Sequence, residues 1–327
     1  MKHLLPTLSL LLAAGVAAVA QCVMPPFLKD GDRVAVISPS STPDSSTIVR
    51  GCQILRQWGY EPVVGIHALD TYYDFAGTTK ARTDDLLWAL RDSTIRAIVC
   101  TRGGDGAIQL LPYLQADDFR KCPKWLIGFS DITTLHSMSV ASGVMSIHGS
   151  MLHAIASRNG NDTVSVTLRR LLRGKLPTYR VPGHAYNQPG RTTGRLVGGN
   201  FAVLSSLAGS DYDCLKHPEE GLILFIEDVD ETVLRIDRLL HQLEIRGVLP
   251  QLRGIIVGQF SRCDHTEIGF DSIYRMLHEY LQHYDMPVCY DFPVGHASLK
   301  NFPMIEGASV SLTVDKDGAC LEFLRQE

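Results

Sequence analysis

Residues 124–136, K-W-L-I-G-F-S-D-I-T-T-L-H, join a short apolar run directly to a helix-like pattern. Residues 125–129 predict a buried strand, and the helical pattern begins at Asp131. A strand that passes at once into a helix forces a tight turn, which lifts one side chain clear of the sheet and leaves backbone N–H groups free beside it. Ser130 occupies that turn, and Gly128 suits a strand that bends closely there.

Two interpretations of Ser130 follow from these residues. Its hydroxyl can act as a nucleophile, because the positive end of a helix favours a developing oxyanion. It can equally cap the N-terminus of the helix, a common role of serine. The G-x-S-x-G pattern does not decide between them, since it requires glycine at position 132 and the chain has Ile132.

The segments around this stretch alternate between strand-like and helix-like patterns. Short apolar runs at residues 34–38, 95–100 and 144–148 are separated by amphipathic segments. Such alternation predicts an α/β fold in which helices cover both faces of a parallel sheet. Active sites of this architecture lie at the carboxyl ends of the strands.

Changes in composition and pattern along the sequence divide the chain into four parts. After a signal peptide at residues 1–20, we expect an N-terminal α/β domain at residues 25–160 that carries Ser130. Residues 161–194 combine a polar helix with several prolines and glycines, which is typical of a linker region. Residues 195–327 form the expected C-terminal domain, which ends in a predicted hairpin at residues 309–324.

Composition excludes some classes of function. The chain has 327 residues, of which 45% are apolar and 20% charged, enough for two cores. A formal charge of −4 and the lack of any Lys/Arg block argue against nucleic acid as a partner. After residue 20 no stretch is long and apolar enough to span a membrane.

The first residues are typical of an export signal. Lys2 precedes a long apolar run, and residues 18–20, A-V-A, fit a cleavage site that would make Gln21 the first residue. We therefore expect an exported, periplasmic protein. Two alternatives stay open: a cytoplasmic protein translated from Met24, and a lipid anchor on Cys22, although Gln21 suits the preceding position poorly.

The cysteines and histidines show no metal-binding pattern. Eight cysteines are scattered without a C-x-x-C pair, and zinc spacings such as H-E-x-x-H are absent. The sequence therefore predicts no metal, no cofactor and no disulfide framework.

A glycine-rich loop, T-R-G-G-D-G at residues 101–106, lies between a predicted strand and a helix. It could cradle a phosphate, offer backbone N–H groups to an oxyanion, or be a plain tight turn, and neither standard phosphate-loop pattern is present. Since Gly104 and Ser130 both follow strands of one predicted sheet, they are expected to face the same crevice.

Acyl transfer by a serine requires a base and a group that orients the base. Among twelve histidines, His136 is expected to be structural, whereas His148 ends a strand and His296 follows a glycine in a loop. Glu227 closes an apolar run, where a carboxylate is costly unless it is paired. The alternative is that Glu227 is an acid at the start of the following helix.

An ordered set of motifs resembles the LD-carboxypeptidase family, the muramoyl-tetrapeptide carboxypeptidases and the microcin C immunity peptidases. The set begins with L-K-x-G-D-x-V-A-V-I-S-P-S-S at residues 28–41 and A-G-T at 76–78 with Arg82. It continues through R-G-G-x-G at 102–106, G-F-S-D-I-T at 128–133 and H-G at 148–149, and ends with G-G-N at 198–200, E-D at 227–228, R-I-D-R at 235–238 and G-H at 295–296. The resemblance covers the chain from about residue 25 to its end.

The resemblance implies a catalytic triad of Ser130, Glu227 and His296, with an oxyanion held by the backbone N–H groups of Gly104 and Asp131. It also implies an α/β N-terminal domain, a smaller β-rich C-terminal domain, a homodimer, and release of terminal D-alanine from murein tetrapeptides or small peptides. Two alternatives are a microcin C-type immunity peptidase and a non-catalytic wall-peptide-binding protein.

The chain departs from the family pattern in the glycine-rich loop. Asp105 stands where the family usually has an aromatic residue, so the contacts of the loop with the substrate are expected to differ. Arg102 in the same loop is the candidate for binding the terminal carboxylate of the substrate.

Overall fold

The computed structural model describes residues 21–263, 272–297 and 299–325. The predicted export signal, residues 1–20, lies outside the described residues. None of the helices in the described ranges has both the length and the apolar character needed to cross a bilayer.

The first half of the chain forms the parallel sheet that its apolar pattern predicts. Its strands are β1 (Arg33–Ile37), β2 (Glu61–Val64), β3 (Ile95–Cys100), β4 (Trp125–Gly128) and β5 (Ser146–His148). Its helices are α1 (Ser45–Gln57), α2 (Thr79–Arg91), α3 (Ala116–Arg120), α4 (Thr133–Ala141), α5 (Leu152–Ser157) and α6 (Thr163–Leu172). The five strands run parallel in the spatial order β5-β4-β3-β1-β2.

Both faces of this sheet are covered, which explains the continuous apolar runs in its strands. In β1, Val34 and Val36 belong to one hydrophobic core, and Ala35 and Ile37 belong to a second core on the opposite face. Alternate side chains of a strand point to opposite faces, so a strand between two cores must be apolar throughout.

The second half of the chain is richer in strand. Its strands are β6 (Thr178–Pro182), β7 (Gly190–Asn200), β8 (Leu222–Val229), β9 (Gly254–Ser261), β10 (Val288–Cys289), β11 (Met304–Glu306), β12 (Ser309–Val314) and β13 (Gly318–Phe323). Its helices are α7 (Phe201–Ser205), α8 (Val233–Ile245) and α9 (Ile273–Leu281). A seven-stranded mixed sheet has the order β10-β9-β8-β7-β12-β13-β6. The predicted C-terminal hairpin is the antiparallel pair β12 and β13.

The two halves are joined by more than the intervening chain. Strand β11 belongs to the second half of the chain but pairs antiparallel with β5. It is therefore the edge strand of the first sheet. Residues 161–194 hold α6 and β6, and β6 pairs with β13 of the second sheet. The carboxyl ends of β4, β5 and β8 are thereby held in a fixed relation to one another.

Candidate active site

Ser130 lies in the tight turn that the sequence predicts. β4 ends at Gly128, a single 3-10 turn covers Ser130–Ile132, and α4 begins at Thr133. The φ angle of Ser130 is 64°. This left-handed conformation costs an L-residue about 1–2 kcal/mol, and such strain is concentrated at functional sites.

The helix-capping interpretation of Ser130 is wrong. The N-cap position of the 3-10 turn is Phe129 and that of α4 is Ile132, and neither end has a side-chain cap. The serine hydroxyl is therefore not engaged in capping, and its half-buried position leaves it accessible. Gly128 permits the sharp bend, because a Cβ there would lie 2.8 Å from Cγ2 of Ile132.

The glycine-rich loop packs directly against the serine. A Cβ on Gly103 would lie 3.0 Å from Cβ and 3.1 Å from Oγ of Ser130. Gly104 has a φ of 115°, and a Cβ there would lie 2.0 Å from Oγ of Ser41. Residues without side chains are needed for this close approach. Gly103 and Ser130, which follow strands of one sheet, are therefore in contact.

The side chain of Asp131 holds the turn that contains Ser130 in place. Its Oδ2 accepts hydrogen bonds from Ser40 Oγ at 2.6 Å and from the backbone N–H of Ala107 at 2.8 Å. Burial raises the pKa of this carboxyl above its usual value, although both hydrogen bonds oppose the shift. The carboxyl thus ties the turn to the loop after β1 and to the end of the glycine-rich loop.

Arg82 also holds the loop after β1 and the glycine-rich loop together. Its buried Nη1 donates to the carbonyl oxygens of Pro39 at 2.7 Å and Gly106 at 2.8 Å. The guanidinium also lies 4.9 Å from the ring centroid of Phe75. A planar group with several donors can satisfy two carbonyls at once, which holds the loop after β1 against the glycine-rich loop.

His296 is paired with Glu227, as the resemblance implies. The Nδ1 atom of His296 lies 2.6 Å from Oε2 of the fully buried Glu227. Burial by itself would lower the pKa of His296, but the adjacent carboxylate raises it more, so the pKa lies above the usual value. The helix-start interpretation of Glu227 is wrong, since α8 begins at Val233 with Thr232 as its cap.

An irregularity in the second sheet places the loop that carries His296. The register of β8 against β9 shifts beside Glu227, and such bulges often redirect side chains near active sites. A Cβ on Gly258 would lie 2.5 Å from the carbonyl oxygen of Val294, and the backbone N–H of Gln259 donates to that oxygen at 2.8 Å. The loop is therefore fastened to the bulged strand directly before the histidine.

The two halves of the site meet at Phe129. The ring centroids of Phe129 and His296 are 4.9 Å apart. Behind them, the backbone N–H of Asn200 donates to Oγ1 of Thr133 at 3.0 Å, and a Cβ on Gly199 would lie 2.5 Å from the same oxygen. The G-G-N segment of the second half thus packs onto the first turn of α4, which follows the serine.

Comparison with known proteins assigns the chain to a family. Residues 34–149 match the LD-carboxypeptidase N-terminal domain, and residues 193–312 match the LD-carboxypeptidase C-terminal domain. The chain belongs to the LD-carboxypeptidase family. It is therefore a serine-type carboxypeptidase, and the predicted fold and resemblance are confirmed.

Relatives in the LD-carboxypeptidase family include enzymes and immunity proteins. The chain is 33% identical over 278 residues to the murein tetrapeptide carboxypeptidase of Pseudomonas aeruginosa, covering 81% of this chain and 88% of the relative. It is 25% identical over 332 residues to the microcin C7 self-immunity protein MccF of Escherichia coli, covering 90% and 94%. A muramoyltetrapeptide carboxypeptidase from Oxalobacter formigenes shares its fold, with a TM-score of 0.81 and 23% identity over 90% of this chain and 99% of that chain.

His136 and His148 are buried parts of this LD-carboxypeptidase fold. His136 bonds Ser146 Oγ and the carbonyl oxygen of Gly128, both at 2.9 Å, and burial lowers its pKa to about 4. His148 is fully buried, and burial holds its pKa well below the usual value. The structural role expected for His136 agrees with these contacts, and His148 does not reach the crevice as an exposed base.

Arg102 and Asp105 are exposed on the glycine-rich loop. Nη1 of Arg102 donates to the carbonyl oxygen of Thr42 at 3.4 Å, a long bond that leaves most of the guanidinium open to a ligand. Within the described ranges, no three His, Cys, Asp or Glu side chains stand close enough together to hold a metal ion.

Sequence reasoning assigned no role to two residues that shape the site, Ser40 and Asn301. Ser40 lies in the S-P-S-S end of the first family motif, and its bond to Asp131 spans 91 positions of the chain. Asn301 is buried beside the loop of His296 and bonds His148, 153 positions away. Contacts over such separations leave no periodic pattern in a single sequence.

Proposed function

We propose that this LD-carboxypeptidase releases the terminal D-alanine of murein tetrapeptides through an acyl-enzyme formed on Ser130. The observation that carries the proposal is the 2.6 Å pair of His296 and buried Glu227, held beside the strained serine turn. A base with an orienting acid next to a serine at a tight turn is the arrangement that acyl transfer requires.

In the first step, neutral His296 takes the hydroxyl proton of Ser130 while the serine oxygen attacks the amide carbonyl before the terminal residue. Glu227 accepts the Nδ1–H of His296, so Nε2 is the atom left to act as base. The carboxylate also stabilises the imidazolium that forms. His296 then gives its proton to the leaving amine, D-alanine departs, and water activated by the same histidine hydrolyses the acyl-enzyme.

The negative charge of the tetrahedral intermediate is assigned to two backbone donors, the N–H groups of Gly104 and Asp131. Support comes from the packing of the glycine-rich loop on Ser130 and from the two bonds that fix the Asp131 side chain. Preorganised backbone donors lower the barrier because they need not reorient when charge develops.

We assign binding of the substrate's terminal carboxylate to Arg102. Asp105 lies beside it and would influence which substrate side chains are accepted. Arg102 is exposed on the loop that touches the nucleophile, and a guanidinium can hold a carboxylate with two parallel bonds. An acid in place of an aromatic residue at position 105 would favour a substrate that carries an amine near the cleaved bond.

We also propose that the enzyme is exported, with Gln21 as the mature N-terminus, and works as a periplasmic homodimer. Support for a start before Met24 comes from Val23, whose backbone N–H donates to the Gly143 carbonyl at 2.8 Å and whose carbonyl accepts from the Met145 amide at 2.9 Å. A start at Met24 would remove this isolated bridge to Val144. Cys22 is only 2% exposed, so a lipid on its thiol would require the segment to leave its place. The mass of the mature chain and its solution molecular mass test these assignments.

The proposed activity is tested with a purified murein tetrapeptide. Wild type should release D-alanine, and Ser130→Ala should lose activity by several orders of magnitude while it keeps the native circular dichroism spectrum. Ser157→Ala, an exposed serine on α5, is the matched control and should retain full activity. Wild-type rates from Ser130→Ala would refute the nucleophile.

A peptide–nucleotide antibiotic is the second candidate substrate, because the chain is 25% identical to MccF. The higher identity of 33% to the Pseudomonas aeruginosa murein tetrapeptide carboxypeptidase favours the wall peptide. Assays of both substrates at equal concentration separate the two, and the larger kcat/KM identifies the substrate. Turnover of neither would refute both candidate substrates.

A further inference from the structure

A buried polar chain links the two halves of the molecule next to the proposed base. Oδ1 of Asn301 accepts a hydrogen bond from the backbone N–H of Gly295 at 3.2 Å and lies 3.1 Å from Nε2 of His148. His148 ends β5 of the first sheet, and Gly295 directly precedes His296. The bond between His148 and Asn301 therefore crosses from the half that carries the serine to the half that carries the imidazole.

The donors and acceptors of this chain have one consistent assignment. The N–H of Gly295 can only donate, so the amide oxygen of Asn301, and not its nitrogen, must face it. An oxygen that cannot donate then requires a proton on Nε2 of His148. Nδ1 of His148 is buried without a hydrogen-bond partner among the described residues, which agrees with a neutral ring bearing no proton there.

Aromatic rings surround His148 and hold it in place. Its centroid lies 5.8 Å from that of Phe129 and 5.1 Å from that of Phe225, the latter in an edge-to-face arrangement. Phe129 also contacts His296 at 4.9 Å. One side of His148 thus packs on the residue before the nucleophile, and its Nε2–H is directed to the anchor of the base loop.

We propose that His148 and Asn301 are positioning residues that set the distance between Ser130 and His296 across the two halves. The expected effect on turnover rests on the proposed function. The contact between His148 and Asn301 does not depend on that proposal. A misplacement of about 1 Å can cost about 100-fold in rate. Because Asn301 bonds Gly295, the residue before His296, losing this bond should lower turnover.

A matched pair of variants isolates the hydrogen bond from packing. Glutamine at position 148 can place its amide N–H near the position of Nε2, whereas methionine has a similar shape and no donor. His148→Met should lower kcat by about 10- to 100-fold with little change in KM, and His148→Gln should stay much closer to wild type. Asn301→Leu removes the acceptor and should reproduce the effect of His148→Met.

The pH profile separates positioning from simple loss of folded protein. Among the residues that the structure describes, the charged and titratable groups that act on His296 are Glu227, Asp228, Arg262 and His148. If the loop loosens, the pair with Glu227 weakens, and the acid limb of kcat/KM should move to lower pH in His148→Met and Asn301→Leu. Partial unfolding would lower kcat/KM by the same factor at every pH and would not move the pH of the acid limb. An unmoved limb and a wild-type kcat in both variants would overturn the inference.

Imidazole ¹⁵N NMR tests the link without any substrate. In the wild-type enzyme, His148 should remain neutral with its proton on Nε2 from pH 5 to 9, and Asn301→Leu should lower the pH at which His296 titrates. A proton on Nδ1 of His148 would overturn the inference even if D-alanine is released. Failure to release D-alanine, with these NMR signals as expected, would refute the proposed function alone.

Discussion

Glu227 and Asp228 are adjacent on β8, yet their carboxyl groups act on opposite sides of the strand. Glu227 bonds Nδ1 of His296 at 2.6 Å, whereas Asp228 accepts from Nδ2 of Asn200 at 2.8 Å and from the backbone N–H of Ala202 at 2.9 Å. Successive side chains of a strand alternate between faces, so one dipeptide can orient His296 and anchor the G-G-N segment. Burial and the neighbouring Glu227 raise the pKa of Asp228 to about 7.

Glu227→Gln should lower both the rate and the pH at which the enzyme becomes active. The proposed mechanism requires neutral His296, whose pKa is raised, so the acid limb of kcat/KM should lie above about pH 6.5. Without the carboxylate this pKa falls, and the limb moves to lower pH. The loss of orientation should reduce kcat by about 10³- to 10⁴-fold.

The control for that variant is Glu244→Gln, which breaks an exposed pair in which Oε2 lies 2.8 Å from Nδ1 of His241. Surface pairs contribute little, so its pH–rate profile should match wild type. An acid limb that stays in place in Glu227→Gln would contradict the assigned role of this carboxylate.

Ser130→Gly should be more stable than Ser130→Ala, although both are inactive. At a φ of 64° an alanine keeps the strain of a Cβ, and glycine relieves it. We expect a difference of about 1 kcal/mol in the free energy of unfolding, measured in urea. At Ser157, the last residue of α5, there is no positive φ to relieve, and the order should reverse because glycine is less favourable than alanine in a helical conformation. Equal stabilities at position 130 would show that the turn is unstrained.

The sequence predicts the parallel sheet and the tight turn at Ser130 because both depend on local patterns. An apolar run followed at once by a helical pattern places Ser130 without knowledge of any distant residue. The interpretation of Glu227 as a helix-start acid was wrong because the helix begins five residues later than the pattern E-D suggests, at Thr232 and Val233. Only the resemblance distinguished His296 from His148.

Long-range contacts account for what the sequence could not supply. Strand β11 has three residues, and its pairing with β5 in the first sheet depends on the complete tertiary structure. Ser40 and Asn301 act through partners 91 and 153 positions away. Hydrophobic periodicity carries no information on such pairs, so they emerge only from the packed structure.

Gly104→Ala should abolish most activity, whereas Gly143→Ala should not. Both glycines have positive φ angles, 115° and 76°, so alanine introduces backbone strain at each. A Cβ at Gly104 would also meet Ser41 Oγ at 2.0 Å, but nothing lies within 4 Å of a Cβ at Gly143. Displacing one oxyanion donor should reduce kcat by about 10²- to 10³-fold. Similar activities in the two variants would argue against a donor at Gly104.

Arg102→Gln should weaken substrate binding more than it slows chemistry. A hydrogen bond to a charged group contributes about 1.5–3 kcal/mol, so KM should rise about 10- to 100-fold with kcat little changed. Arg180→Gln, on exposed β6, removes the same charge far from the glycine-rich loop and should leave KM unaltered. Steady-state kinetics on a tetrapeptide measure both. A lowered kcat with an unchanged KM would assign the carboxylate to another residue.

Glu306→Gln should change how the stability of the enzyme depends on pH. Glu306 is fully buried on β11, and neither carboxyl oxygen accepts a hydrogen bond of ordinary geometry from a described residue. Burial raises its pKa well above the usual value, and the backbone N–H of Gly198 opposes this only weakly. The folded protein therefore keeps a proton that the unfolded chain releases above about pH 4.5.

Because the folded state binds the extra proton, this carboxyl stabilises the protein fully at low pH and progressively less as the pH rises towards its folded pKa. The free energy of unfolding of wild type, relative to Glu306→Gln, should fall by up to about 1.4 kcal/mol per pH unit between pH 5 and 7. Urea denaturation of both proteins at several pH values measures the slope of the difference, in which the contributions of other groups cancel. If the difference in free energy of unfolding between the two proteins did not change with pH, Glu306 would be ionised in the folded enzyme. Strand β11 would then hold a buried charge between the two sheets.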